Sequence, residues 1–243
     1  MQQRLAEGKR KYSYGAYNKY DSKEQYIRIT EGCPNNCPYC YKPTEYKVFD
    51  VPEIVRNDVK IMDMNLLCKR RLALAIIEDL GSKIVNGKVV YYELICGIDY
   101  RFLTSRLAEA LKKNRFKNIR LAWDWGYKDQ KLIKNAIDML LNAGYKDEEI
   151  MVFIICNWKI SYEDNLRKMD LCKVWNFQIA DCWFDNQVFP KRKEDPPIKP
   201  IHWKFEECID FRSKVRKHNQ LINFRIDPEL KPSEFTSNRK VEE

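Results

Sequence analysis

The chain has 243 residues, 44 of them Lys or Arg and 35 Asp or Glu, for a net charge of +9. That length predicts one domain with a full-sized core, and 44% hydrophobic with 13% aromatic content excludes global disorder. No run approaches the roughly 18 apolar residues of a membrane span, and Met1 to Arg10 lack the apolar stretch of a secretory signal, so a soluble, cytoplasmic protein without a membrane partner is expected. Nine cysteines in such a chain point to metal binding or reactivity rather than a disulfide framework. The number is odd, so they cannot all pair, and with only His202 and His218 a His-rich metal site is nearly excluded.

Residues 1–24 are basic and tyrosine-rich, with Tyr12, Tyr14, Tyr17 and Tyr20 among lysines and arginines, and read as an arm. From residue 25 to about 220 a core is expected, followed by a polar tail over 221–243. Tyr26 to Thr30 alternates like a strand and runs into a cysteine-rich turn. Val59 to Asp63 reads as a second strand, and Lys69 to Ile84 carries helical apolar spacing ending near Gly81 and Gly87. Val89 to Cys96 is a third strand, apolar enough to be buried on both faces. Thr104 caps a helix to about Asn114. Ile119 to Asp124 is the fourth strand, followed by a helix from Asp129 to Ala143 that stops at Gly144. Ile150 to Cys156 is the fifth strand, and Ser161-Tyr-Glu-Asp has capping-box spacing. Val174 to Asp181 reads as a sixth strand; a loop with Pro190, Pro196, Pro197 and Pro200 follows, then a helix from Phe205 to Asn219. Strict strand–helix alternation predicts an α/β fold with a parallel sheet and outer helices. Six units are too few for a closed eight-stranded barrel, so a partial (β/α)6 barrel is expected, with ligands at the carboxyl ends of the strands.

Chemistry concentrates in Glu31-Gly-Cys33-Pro-Asn-Asn-Cys37-Pro-Tyr-Cys40, three thiols within eight residues in a Gly/Pro/Asn turn. Three thiolates can hold three irons of a [4Fe–4S] cube and leave the fourth iron without a protein ligand. A structural zinc site would want a fourth ligand, and neither a second C-x2-C nor a nearby histidine offers one. Unliganded core cysteines are the other alternative.

Cys33-x3-Cys37-x2-Cys40, with Tyr39 before the third cysteine, resembles the motif of the radical S-adenosylmethionine (radical SAM) enzymes. Met62-Asp-Met-Asn-Leu-Leu67, Cys96-Gly-Ile-Asp-Tyr-Arg-Phe-Leu-Thr104 and Leu121-Ala-Trp-Asp-Trp-Gly126 resemble strand-end segments of the branch often fused to cobalamin-binding domains. The likeness spans roughly Tyr26 to Asp181, with no preceding residues for a cobalamin domain, a short stretch between Cys40 and the second strand that leaves the first helix truncated or missing, and Ile155-Cys-Asn-Trp in place of the usual Gly-x-Pro turn. The resemblance implies a partial barrel, a [4Fe–4S] cluster held by Cys33, Cys37 and Cys40, and SAM chelated to the open iron. It also implies reductive cleavage to a 5′-deoxyadenosyl radical that abstracts hydrogen from a substrate, and an external one-electron donor such as a flavodoxin or ferredoxin. Asp63, Asn65 and Asp124 are its candidate SAM contacts, as acceptors for the amino group or ribose hydroxyls, with Tyr39 beside the adenine.

Cys96, Cys156 and Cys182 each fall at a strand's carboxyl end and are candidate hydrogen-atom donors, with core packing as the competing use. Cys68, Cys172 and Cys208 read as structural. Trp123, Trp125, Trp158 and Trp183 fall near strand ends, where rings can roof a pocket. The run from Lys112 to Arg120 reads as a solvated face at the bottom of the barrel, whereas Lys69-Arg-Arg71 and Lys191-Arg-Lys193 fall near its mouth. With the tyrosine-rich arm these favour a polyanionic substrate, a nucleic acid or nucleotide over a peptide. A peptide-modifying enzyme of the same family, or a non-enzymatic zinc or iron–sulfur electron-transfer module, are the alternatives.

Overall fold

The computed structural model describes residues 15–40, 45–184 and 200–224. Residues 1–14 of the arm, most of the proline-rich loop with Lys191 to Lys193, and the tail from 225 lie outside the described residues. The elements are β1 (Tyr17–Tyr20), β2 (Gln25–Arg28), β3 (Thr30–Glu31), β4 (Lys47–Val48), β5 (Asp58–Ile61), α1 (Arg70–Ser82), β6 (Ile84–Val85), β7 (Lys88–Val89), β8 (Tyr91–Leu94), β9 (Ile98–Asp99), α2 (Ser105–Lys113), β10 (Ile119–Trp123), α3 (Gln130–Asn142), β11 (Ile150–Cys156), α4 (Tyr162–Val174), β12 (Gln178–Trp183) and α5 (Phe205–Asn223). Among the described residues no helix stands between Cys40 and β5, and none is long and apolar enough to cross a membrane.

The fold is mixed α/β with parallel sheets and outer helices. One four-stranded sheet runs β1-β2-β5-β8 and another β9-β10-β11-β12. All neighbours are parallel except β1, which pairs antiparallel with β2. A single sheet was the expectation from sequence. The break falls after β8, where Gly97, at φ +85°, turns the chain from Leu94 toward β9. A parallel bridge between Tyr92 of β8 and Phe116, three residues before β10, lies beside the break.

Three local differences have simple causes. The arm is not wholly detached, because Tyr17–Tyr20 adds an edge strand to β2. Asn86 and Gly87, at φ +50° and +73°, form the two-residue turn of the β6–β7 hairpin, as an Asn-Gly pair does between extended segments. The apolar run from Val174 to Phe177 is not strand. Helix α4 continues through Val174, and Asn176, at φ +61°, ends the turn before β12.

Helices α1, α2 and α3 bury Ile76, Ile77 and Leu80, then Leu107 and Leu111, then Ile133, Ile137 and Leu140. Their partners in one continuous core include Val59, Ile61, Tyr92, Leu121, Val152 and Ile154 of the strands. Each such side chain contributes about 1.5–3 kcal/mol. The other face of the strands is polar. Glu93, 2% exposed, accepts from Lys60 at 2.7 Å and from Arg120, and Lys117 pairs with Asp58 at 2.7 Å. Lys112 pairs with Glu149 at 2.7 Å, and Arg115 donates to the carbonyls of Val90, at 3.0 Å, and Gly81. Lys112, Arg115, Lys117 and Arg120 therefore stitch strands and helices together, and of the basic residues in the expected solvated face only Lys113 is exposed.

Helix α4 packs by polar contacts at the strand ends. Asn165 donates to the Ile155 carbonyl at 2.8 Å, and Lys168, 0% exposed, donates to the Trp123 carbonyl at 3.2 Å. Burial pulls the Lys168 ammonium down to about 8, against the pull of Asp124. A base lowered in this way costs stability below its folded value, and the cost disappears as pH rises toward its unfolded value. Lys168→Met is therefore expected to be as stable as the parent or more stable at pH 7, by at most about 3 kcal/mol. That advantage should shrink between pH 8 and 10 in urea unfolding curves. A difference that stays flat across that range would show that Lys168 is charged at no cost.

Candidate active site

The cysteine turn leaves β3 through Gly32, at φ +89°, where an added Cβ would stand 1.9 Å from the Glu45 carbonyl oxygen. Only glycine fits both the left-handed backbone and that close approach. Within the turn the Cys40 amide donates to the Cys37 carbonyl at 3.0 Å. Three side-chain bonds then tie the turn to three different strand ends. Asn65 Nδ2, after β5, donates to Cys33 Sγ at 3.3 Å. Asn35 Nδ2 donates to Asp99 Oδ2, in β9, at 2.5 Å. Tyr39 Oη donates to Asp124 Oδ2, after β10, at 3.0 Å.

These residues line one cavity of about 140 Å3, which also receives Cys96, Arg101 and Trp125. All three turn cysteines are partly buried free thiols. Burial pushes the Cys37 thiol up; a hydrogen bond from Tyr39 pulls it back, and the Cys40 and Cys33 sulfurs raise it again. Thiolates crowded in this way repel one another, and bound cationic metal removes that repulsion. The donor set therefore fits an iron–sulfur cluster. Among the described residues no three His, Cys, Asp or Glu side chains are grouped closely enough to hold one metal ion.

Tyr39 is held between rings, tilted on Trp125 at 5.9 Å and edge-on to Trp158 at 5.8 Å. Burial, then the Asp124 charge, pushes its phenol far up, so it stays a proton donor. Asp99 accepts from Arg101 Nε at 2.8 Å and Nη2 at 2.7 Å.

Of the residues expected here, Cys33, Cys37, Cys40, Tyr39, Asn65, Asp124 and Cys96 share the cavity. Asp63, Cys156 and Cys182 do not line it. Asp63, 2% exposed, spends its oxygens on its own chain: Oδ1 accepts from the Ile29 amide at 2.8 Å, and Oδ2 from the Thr30 amide at 2.8 Å and hydroxyl at 2.6 Å. Cys156 is fully buried with its thiol at 3.4 Å from the Ile154 carbonyl, and Cys182 turns to the Ala180 carbonyl at 3.8 Å. Cys96 Sγ lies 3.6 Å from the Met62 carbonyl. Cys68 is not simply a packing residue. It is half-buried beside Tyr46, and burial, then the Cys33 charge, raises its thiol to about 11. Among the tryptophans only Trp125 lines the cavity; Trp123 is fully buried and stacks on Trp175 and Tyr127.

Asn35, Asp99 and Arg101 were missed in the sequence. Asn35 sits inside the motif and Asp99-x-Arg101 follows a strand end, but nothing local reveals a bond across 64 positions. Asn157 was also missed. At φ +58° it takes a backbone shape glycine usually fills, and its Oδ1 accepts from the amides of Ile201, His202 and Trp203 at 2.9–3.2 Å. It replaces the expected Gly-x-Pro turn with a clamp on the lead-in to α5.

No protein-family model matches the sequence, and no curated protein matches it. Among solved structures, the fold is similar to that of the radical S-adenosylmethionine methyltransferase TsrM from Kitasatospora setae, with cobalamin and a [4Fe–4S] cluster bound. The TM-score is 0.50 and the identity 11%, over 74% of this chain and 44% of that one. At that identity the likeness speaks for the fold alone, and the chain spans less than half the length of that enzyme.

Proposed function

We propose that this chain is the core of a radical SAM enzyme, its two sheets forming the arc of a partial (β/α)6 barrel. The observation that carries the reading is one cavity at the carboxyl ends of parallel strands, lined by all three cysteines of a C-x3-C-x2-C turn together with Asn65, Asp124 and Tyr39. The structural likeness to a radical SAM methyltransferase supports the same scaffold.

Cys33, Cys37 and Cys40 would hold a [4Fe–4S] cluster and leave one iron for the methionine end of SAM. A reduced cluster held there would supply the one electron that splits SAM at its S–C5′ bond into methionine and a 5′-deoxyadenosyl radical. The residues of the chain do the rest. The Asn65 amide, donating to Cys33 Sγ, spreads charge off that sulfur and sets its direction, as hydrogen bonds to cluster sulfurs do. Asp124, a carboxylate on the cavity wall that accepts from Tyr39, is the acceptor for a ribose hydroxyl in this reading. Tyr39 and Trp125 form an aromatic wall of the cavity, with Trp158 packed behind Tyr39, that would exclude water from a radical. Cys96 is the thiol within the cavity that could return a hydrogen atom. An external flavodoxin or ferredoxin would deliver the electron.

Anaerobic reconstitution with iron and sulfide, then SAM and dithionite, tests this. The expected result is about four irons per chain and 5′-deoxyadenosine by mass spectrometry. An intact cluster that binds SAM and never cleaves it would leave an electron-transfer or SAM-binding protein. Zinc without iron after anaerobic purification would remove the reading altogether.

A further inference from the structure

Beside the cysteine cavity lies a second, larger depression of about 740 Å3, broadly open to solvent. Its walls are the start of α1, with Lys69, Arg70 and Arg71, and the loop after β9, with Arg101 and Phe102; Tyr46 forms part of the floor. Arg101 lines both depressions, so they meet at one side chain.

The cations here are placed against ordinary helix electrostatics. The first turn of α1 has no acidic residue, and Lys69 at the N-cap makes no side-chain cap. Positive charge at a helix N-terminus opposes the macrodipole. Among the described residues neither Lys69 nor Arg71 has a carboxylate partner; Lys69 lies 5.8 Å over the Tyr46 ring. Arg70 instead braces the groove, donating to the carbonyls of Arg101 and Phe102 at 3.2 and 3.3 Å. The Tyr46 hydroxyl is buried, on the side of Thr30 and Cys68, so the residue shows the groove its ring. Lys69 and Arg71, which no carboxylate neutralises among the described residues, alternate with the rings of Tyr46 and Phe102, the pattern that takes phosphates and stacked bases.

We propose that this groove binds a single-stranded nucleic acid, with its phosphates against Lys69, Arg71 and the helix N-terminus and a base on Tyr46 or Phe102, feeding a nucleotide past Arg101 toward the cysteine cavity. A wide depression open to solvent that meets the site at Arg101 suits a strand lying along it better than a small anion that must be enclosed. That the strand is a substrate rests on the radical SAM reading; that it binds does not.

The test is fluorescence anisotropy of the full chain with a labelled oligouridylate of about 12 nucleotides. Lys69→Ala combined with Arg71→Ala should weaken binding at least about tenfold and reduce the slope of log affinity against log salt by about 1.4. Both side chains are exposed, so an unchanged melting temperature will show that the variant is folded. Lys88→Ala combined with Lys131→Ala removes the same charge from exposed positions elsewhere and should change affinity less than about twofold. An abasic strand of equal length should bind about tenfold more weakly than the oligouridylate. Equal losses in the two double variants, or failure of the parent chain to bind, would overturn the proposal. Equal affinity for the abasic strand, or equal competition by polyglutamate, would assign the groove to another polyanion and also overturn it. Cluster content and 5′-deoxyadenosine are measured on the same samples. Binding with no SAM cleavage would sink the radical SAM reading and leave the groove standing; cleavage with no binding would do the reverse.

Discussion

Replacing any one of Cys33, Cys37 and Cys40 with alanine is expected to lower reconstituted iron to a small residue and 5′-deoxyadenosine to background. Each sulfur would hold a separate iron, so losing one leaves two protein ligands on a cluster that already has an open corner, and such a cluster falls apart rather than weakening in proportion. Cys182→Ala is the control, because its thiol turns to a backbone carbonyl off the cavity; iron content should be unchanged. The informative comparisons are Cys68→Ala and Cys96→Ala. Cys68 is close enough to feel the Cys33 charge, and Cys96 shares the cavity. Both variants should keep the full cluster if the fourth iron is left for SAM. Loss of iron in either one would mean that a fourth side chain closes the cluster, and SAM cleavage would then have no coordination site.

The cysteine motif could be read from the sequence because its chemistry sits within eight consecutive residues, whose spacing survives whatever the rest of the chain does. Six of the seven parallel strands, all but the two-residue β9, were legible for a similar reason: Ile119–Trp123 and Ile150–Cys156 are apolar runs of strand length. Asp124 was found by its position after a strand, and the structure gives it a partner, Tyr39, 85 residues away. Position alone could not separate Asp124 from Asp63. Both are acidic residues just past a strand end, yet one faces the cavity and the other faces its own backbone. The difference arises because the strand is interrupted at Ile29, between β2 and β3, where the amides of Ile29 and Thr30 take Asp63 as their acceptor. The run from Val174 to Phe177 failed as a strand because partly buried Trp175 stacks on the fully buried Trp123, a tertiary gain that overrides local β preference.

Asp63→Ala is expected to cost about 4 kcal/mol, lowering the melting temperature by about 10 °C. The substitution orphans three donors at Ile29 and Thr30, which are 1% and 0% exposed, and unpaired buried donors cost about 1–3 kcal/mol each. The loss should reach the active site as well, since these amides set the path of β3 into Gly32 and Cys33. The iron of the variant should therefore be more easily removed by a chelator, even at temperatures where the chain is still folded. The pH dependence separates charge from hydrogen bonding. Burial raises the Asp63 carboxyl to about 6, although the bonds from Thr30 and Ile29 and the charge of Arg28 pull the other way. An acid raised by folding binds its proton more tightly when folded, so its contribution is full below its unfolded value near 4 and is lost as pH rises through about 6. Asp63→Asn has no proton to lose. Its penalty relative to the parent should therefore be about 1 kcal/mol larger at pH 5 than at pH 7. If the three donors outweighed burial and held the carboxylate ionised throughout, the penalty would be the same at both values, and Asp63 would be a charged clamp rather than a half-neutralised one.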